Sequence, residues 1–251
     1  MLISIITVAL NAAPTIARTL TSISKQSHLD IEYIVVDGNS SDGTLAIIQD
    51  FAKSHSNIRL ISEPDKGIYD AMNKGIKLAT GDVIGIINAD DYYADQNVIS
   101  DIGKLFESQD LDAVFGDLEY FDAGKEAHLT RVYRSKGFHH KKLAWGIMPA
   151  HPTLFLRKSV YDRFGFFKPE YKIAGDFDFI ARIFKNGDLK YMYLPRILTR
   201  MQSGGVSTRG IKSTILLNKE ILRSCQENDI STNLLKLLLR YPKKFLEYIL
   251  K

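Results

Sequence analysis

The N-terminal third of the chain alternates between two hydrophobic periods. Short, almost wholly apolar runs over residues 2–8, 31–36, 58–61 and 83–87 predict strands. Between them, apolar residues recur at helical spacing. Ile16, Leu20 and Ile23 follow Pro14; Leu45, Ile48 and Phe51 follow the 40–44 turn; Ile68, Met72 and Ile76 lead to Leu78. Strand and helix in this cadence predict a parallel sheet with right-handed crossovers. In such sheets ligands bind beyond the carboxyl ends of the strands. The polar residues at those ends are Asn11, Asp37 and the run Asn88 to Asp91, which are therefore expected to face one crevice.

After Gln109 the cadence breaks. Residues 113–120 and 128–133 predict strands of a more mixed sheet, and 139–152 is loop-rich. Residues 153–156 predict a strand, 177–184 a helix, and 189–194 and 197–201 two further strands. Gly204-Gly205 marks a loop, and the pattern is helical from about Lys212. The expected division is one unit over 1–208, changing character at about 110, and a C-terminal amphipathic helical extension over 209–251.

Composition changes this picture little. Of 251 residues, 45% are hydrophobic and 25% charged, which suits a globular fold and excludes collagen or disorder. A single cysteine, Cys225, excludes an internal disulfide framework or a cysteine-rich zinc module. The net charge of +4 is too small to suggest nucleic-acid binding. It is carried by the last twenty residues, where Lys236, Arg240, Lys243, Lys244 and Lys251 face only Glu247. No apolar run reaches the roughly 18 residues of a spanning helix, and the N-terminus lacks a basic leader region.

Several motifs carry chemistry. Gly38 to Gly43 has phosphate-loop spacing, but Thr44 stands where a Lys-Ser/Thr pair is required, and no G-x-G-x-x-G follows the first strand. Asp37, at the tip of a buried strand, can accept hydrogen bonds from a nucleobase or ribose, or act as a turn cap. Asp90 and Asp91 repel each other unless a cation neutralises them; the other reading is a solvated turn. Asp176 and Asp178 at a helix start suit a general base or a cap. His151, between Ala150 and Pro152, is either structural or aimed at a site. Trp145 and Tyr69 suit sugar stacking or core packing.

In order, the motifs are Ser4 to Asn11, Ile34-Val-Val-Asp37-Gly-Asn-Ser-Ser-Asp-Gly-Thr44, Ser62 to Gly75, Thr80-Gly-Asp82, Ile87-Asn-Ala-Asp-Asp91 and Ala174-Gly-Asp-Phe-Asp178. Together they resemble glycosyltransferase family 2, an α/β family with the GT-A fold, which implies that 1–208 is the catalytic domain, nucleotide-binding to about 110 and acceptor-binding over about 111–208. The nearest likeness is to its bacterial O-antigen, lipopolysaccharide and capsule subgroup. The resemblance implies that Asp37 binds the nucleotide of a UDP-sugar and that Thr7, Asn11, Asp65, Lys66 and Asn73 line the donor pocket. It implies that Asp90 holds Mn²⁺ or Mg²⁺, that Asp91 lies near the donor sugar, and that Asp176 is the inverting base. Asn88, also on the donor side, stands where many members have Asp, leaving one negative charge fewer. Trp145, His151 and Asp178 are the acceptor-side candidates.

The implied acceptor is a saccharide on a lipid (undecaprenyl) diphosphate, handled in the bacterial cytoplasm at the inner face of the membrane. The basic, leucine-rich stretch 233–251 can lie on an anionic membrane; packing on the catalytic unit or a homodimer interface is the alternative. Two competing functions are a sugar nucleotidyltransferase and an inactive sugar-nucleotide-binding scaffold. Ala9-Leu10-Asn11-Ala12-Ala13-Pro14 lacks the glycine-rich basic loop of the first. The presence of Asp37, Asp90 and Asp176 argues against the second.

Overall fold

The computed structural model of the chain describes residues 1–28, 30–205 and 210–241. Among the described residues nine strands form one sheet, in the order β3 (Ile58–Ser62), β2 (Ile31–Asp37), β1 (Ile3–Ala9), β4 (Val83–Asn88), β8 (Phe155–Arg157), β6 (Ala113–Asp122), β9 (Tyr191–Gln202) and β5 (Tyr92–Tyr93), with β7 (Lys125–Tyr133) paired to β6. Its first half is parallel: β1 (Ile3–Ala9), β2 (Ile31–Asp37), β3 (Ile58–Ser62) and β4 (Val83–Asn88) are joined by α1 (Ile16–Ser24), α2 (Thr44–Ala52) and α3 (Ile68–Leu78). The register puts Ala9 opposite Asp37, Asp37 opposite Ser62, and Val8 opposite Asn88. The polar strand ends therefore fall along one edge of the sheet.

The second half is mixed. It comprises β5 (Tyr92–Tyr93), β6 (Ala113–Asp122), β7 (Lys125–Tyr133), β8 (Phe155–Arg157) and β9 (Tyr191–Gln202). β8 runs antiparallel to both β4 and β6, whereas β9 runs parallel to β6. The remaining helices are α4 (Val98–Ser108), α5 (Lys158–Phe164), α6 (Gly175–Phe184), α7 (Gly210–Glu227) and α8 (Leu234–Leu238). Two 3-10 turns, His140–Trp145 and His151–Thr153, occupy the segment expected to be loop-rich.

Alternation along β1 divides the core, because successive side chains of a strand point to opposite faces. Ile3 and Ile5 pack with Leu20, Ile48, Ile102 and Phe106 from α1, α2 and α4. Ile6 and Val8 pack with Ile76, Phe177, Phe184 and Cys225 from α3, α6 and α7. Both faces of the parallel half are covered, which explains why its strands read as continuous apolar runs.

Three sequence expectations change. The two strands expected over 189–201 are one, β9, running through Pro195. β9 itself carries the irregularity: four of its steps, Tyr193 to Ile197, lie opposite two on β6, Phe115 to Asp117, and two more, Ile197 to Thr199, lie opposite one. Gly116 allows the close approach there, since a Cβ would meet Leu198 Cγ at 2.6 Å. Thr153 belongs to a 3-10 turn, not a strand, because its hydroxyl donates to the carbonyls of Gly116 and Ala150. Helix α5, which opens directly from the end of β8, was not expected. The expected continuation of the C-terminal helix over 242–251 lies outside the described residues.

Candidate active site

The first part of the site forms where β1, β2 and β3 end. Asp37 is fully buried. Its Oδ2 accepts from the Ser40 backbone N–H (3.1 Å) and the Ser62 hydroxyl (2.7 Å). Oδ1 has no partner among the described residues. A buried carboxylate oxygen left unpaired is costly, and ligand binding sites are one place where such atoms are found. Asn11 adopts φ 51° and Asn39 φ 63°, left-handed conformations that asparagine tolerates. Asn11 Oδ1 accepts from the Ser41 N–H at 2.9 Å, stitching the β1 and β2 loops together. Asp65 packs against Gly38 so closely that any side chain there would collide with its carboxylate. Asp65 also accepts from the Gly67 N–H, turning the chain into α3 and leaving Lys66 exposed.

The second part is the turn after β4. Asp90 is partly buried, and burial raises its carboxyl above the usual range while the nearby Arg18 pulls it down. Arg18 donates to the Asp90 carbonyl at 2.8 Å and to Gln202 Oε1 at 3.2 Å. Asp91 is fully buried. Its Oδ1 accepts from the Gln202 N–H at 3.1 Å, and its carbonyl accepts from the Thr19 hydroxyl at 2.7 Å. The turn is thereby tied to α1 and to the end of β9. Burial, reinforced by the charge of Asp90, holds the Asp91 carboxyl well above normal. Asn88 Oδ1 and Asp91 Oδ2 have no hydrogen-bond partner among the described residues.

The third part is the start of α6. Asp176 occupies its first turn, where the helix dipole favours negative charge. Burial nevertheless pushes its carboxyl up to about 6, with Glu220 adding to the rise. Its Oδ1 accepts from the Phe177 N–H at 2.7 Å. Tyr69 of α3, the helix that follows the β3 end, reaches this point: its hydroxyl donates to the Ile173 carbonyl at 2.7 Å, and its ring lies under Gly175, where a Cβ would come within 2.6 Å.

Other expected site residues are engaged elsewhere. Thr7 is fully buried, with its hydroxyl accepting from Tyr33, on the sheet face that packs against α1 and α2. Asn73 uses both ends of its amide on Phe167: Nδ2 donates to the carbonyl at 2.8 Å and Oδ1 accepts from the N–H at 3.0 Å. Asp178 is fully buried beneath α7, facing Lys168, Arg182, Ser224 and Asn228. All three side chains are buried and bonded to partners within the protein. His151 is buried against the edge of Phe167, and burial lowers its imidazole to about 4, leaving it neutral. Trp145 is half-exposed beneath the Lys236 ammonium. A hollow of about 270 Å³ lined by His140, Lys185, Asn228 and Asp229 contains none of the strand-end acids.

Sequence reasoning missed Arg18, Gln202 and Glu220. Arg18 and Gln202 are single polar residues far apart in the chain. Glu220 carried a signal: it falls on the same stripe of α7 as Ile221, Ser224 and Cys225, all buried.

Among the described residues no three His, Cys, Asp or Glu side chains form a metal cage. A hard cation that takes one carboxylate and completes its shell with phosphate oxygens and water needs no such cage. Asp90, with the unpaired Asn88 Oδ1 beside it in sequence, fits that requirement.

The sequence model described as glycosyl transferase family 2 matches residues 4–164. A PGL/p-HBAD biosynthesis glycosyltransferase of Mycobacterium bovis (strain BCG / Pasteur 1173P2) is 30% identical over 222 residues, 88% of this chain and 82% of that protein. An uncharacterized glycosyltransferase of Bacillus subtilis, EpsJ, is 34% identical over 44% of this chain and 36% of its own. Among solved structures, S. aureus TarS 1–349 superposes with TM-score 0.68 at 19% identity, covering 96% of this chain and 72% of that one. The chain spans only 40% of the longer TarS structure. The mannosyltransferase PcManGT of Pyrobaculum calidifontis, solved with GDP-Man and Mn²⁺, has TM-score 0.67 at 20% identity, covering 92% and 65%. With the family's sequence pattern over most of its length and this sheet beneath it, the chain belongs to glycosyl transferase family 2 and is a glycosyltransferase of GT-A fold.

Proposed function

We propose that the chain transfers a sugar from a UDP-sugar to a saccharide hydroxyl with inversion at the anomeric carbon. The observation that carries this reading is Asp176: a carboxylate raised toward neutrality and fixed at a helix start, linked through Tyr69 to the donor side of the sheet. A carboxyl near 6 is ionised at neutral pH and is a stronger base than an ordinary aspartate.

Asp37 Oδ1 is available to the uracil or ribose, with Asn11, Asp65 and Lys66 around it. Asn88 and Asp90 would hold Mn²⁺ or Mg²⁺ against the diphosphate, with Asp91 bracing their turn. Such an ion neutralises the charge that grows on the departing diphosphate. Asp176 takes the proton of the acceptor hydroxyl as its oxygen bonds to the anomeric carbon. The bond to the diphosphate oxygen breaks in the same displacement, so an α-linked donor yields a β-glycoside and no protein nucleophile is used. A TarS structure in complex with UDP-GlcNAc, similar in fold, supports a uridine donor.

The acceptor is proposed to be lipid-diphosphate-linked, in synthesis of a bacterial surface polysaccharide, at the inner face of the cytoplasmic membrane. Support comes from α8, where Leu234, Leu235, Leu238 and Leu239 are exposed beside Lys236. No helix of the described residues is long and apolar enough to cross a membrane, so contact would be peripheral. The test of the chemistry is Asp176→Asn. Transfer should fall by roughly 10²–10⁴-fold while calorimetric UDP affinity is retained. Transfer within about threefold of wild type refutes the assignment.

A further inference from the structure

Helix α7 does more than cover one face of the sheet. Glu220, buried on its inner side, is an acid in a place where charges are rarely left without compensation. The compensation is specific. Its carboxylate accepts from three successive backbone N–H groups: Lys172 at 2.9 Å, Ile173 at 2.9 Å and Ala174 at 2.8 Å. Converging main-chain donors of this kind make a strong anion seat. These residues lead directly into α6 and Asp176.

The same segment is held from its other side by Tyr69, through the hydroxyl on the Ile173 carbonyl and the ring against Gly175. Further along α7 the contacts are of another kind. Glu227 receives Lys168 and Tyr171 from the start of the loop before α6 and Arg223 from its own helix, while Ser224 and Asn228 reach Asp178. These hold the start of that loop and the body of α6, whereas the backbone of the three residues nearest the helix is held by Glu220. Glu220 lies outside the residues that the family pattern matches.

We propose that Glu220 is a positioning residue for the transfer reaction: by seating the 172–174 amides it fixes the Asp176 carboxylate in line with the acceptor hydroxyl, which makes α7 part of the catalytic apparatus. This rests on Asp176 being the base. Displacement of a catalytic group by about 1 Å costs on the order of 10²-fold in rate. Glutamine at 220 is isosteric, but its NH₂ donates where the segment requires an acceptor, so at least one amide is lost. It also removes a negative charge. Among the described residues the ionisable groups that face Asp176 are Tyr69 from α3 and Glu220 from α7, and Glu220 raises it by its charge.

The experiment uses the full chain as wild type, Glu220→Gln, Tyr69→Phe and Asp176→Asn. Turnover of the UDP-sugar that wild type consumes is measured with UDP affinity and Tm. The Asp176 carboxyl is titrated by ¹³C NMR, assigned by its absence in Asp176→Asn, which requires no substrate. Glu220→Gln should lose roughly 10²-fold in kcat, keep donor KM and UDP affinity within about twofold, and titrate Asp176 at lower pH than wild type. Tyr69→Phe should show a smaller kcat loss with the same split. Unchanged kcat and an unshifted titration in Glu220→Gln, with Asp176→Asn inactive, would overturn the proposal. So would a parallel fall of kcat, UDP affinity and Tm, which marks a scaffold residue. Should Glu220→Gln not fold, wild-type kcat in Tyr69→Phe overturns it. An active Asp176→Asn would instead remove the base reading itself.

Discussion

Asp176 is subject to opposed demands. Its place at the start of α6 and the Phe177 N–H favour the carboxylate, while burial and Glu220 oppose it, and burial prevails. The consequence for stability has a definite sign. The folded chain holds this proton up to about pH 6, the unfolded chain only to about 3.8. Between those values the folded state binds more protons, so raising the pH through the window costs stability. Asparagine carries no such cost. Asp176→Asn should therefore raise Tm at pH 7.5 by roughly 6–12 °C, and the gain should vanish as the pH falls below about 4. Scanning calorimetry at several pH values checks this; a variant that melts lower at pH 7.5, or a gain independent of pH, contradicts it. Loss of activity with gain of stability is the pattern expected where a site is built against its own stability.

At the scale of elements, α3 connects the two halves of the site, and Asn73 and Tyr69 are its connectors. Asn73→Ala should leave both the N–H and the carbonyl of the buried Phe167 unpaired, at about 1–3 kcal/mol for each group, with UDP affinity unchanged. Denaturant unfolding and calorimetry separate the two readouts; a large loss of UDP affinity in a stably folded variant would return Asn73 to the donor pocket. The same helix shows what the sequence makes legible. The spacing of Ile68, Met72 and Ile76 announces the helix. Nothing in it says that Asn73 spends its whole amide on a loop 94 residues away. β1, β2 and β4 are legible because both faces are buried and their apolar runs are nearly unbroken; β3, at the sheet edge, is only partly buried and shorter. β9 reads as two strands because Pro195 interrupts the pattern; the strand bulges there and resumes its pairing with β6, a partner far off in sequence. Asp37, Asp90 and Asp176 stand out because they end strands or begin a helix inside motifs. Arg18, Gln202 and Glu220 do not, since their roles exist only once distant segments meet.

For the whole molecule, the C-terminal helices tie the site to a surface. Leu237 and Arg240 anchor α8: the guanidinium donates to the Gly146 carbonyl at 3.0 Å and to Asn218 at 3.1 Å. Leu235 and Leu239, 68% and 54% exposed, point away from that anchor. Burial of a leucine gives about 1.5–3 kcal/mol. Leu235→Glu with Leu239→Glu should therefore weaken flotation with phosphatidylglycerol vesicles by on the order of 10²-fold, leaving Tm near wild type. Wild type that never floats with such vesicles contradicts the membrane reading, and a dimer that the double substitution dissociates would assign the face to a second copy.

The proposed transfer site for a nucleotide sugar is built from acids of three distant segments. It is tested by UDP release from a panel of UDP-sugars, with membrane extract supplying lipid-linked acceptors, in Mn²⁺ and in EDTA. Release should depend on acceptor, be confined to one donor, be abolished by EDTA, and be absent in Asp176→Asn. Release of GDP or dTDP from their sugars in place of UDP would contradict the uridine assignment. Acceptor-dependent release that persists in both EDTA and Asp176→Asn would contradict the site itself.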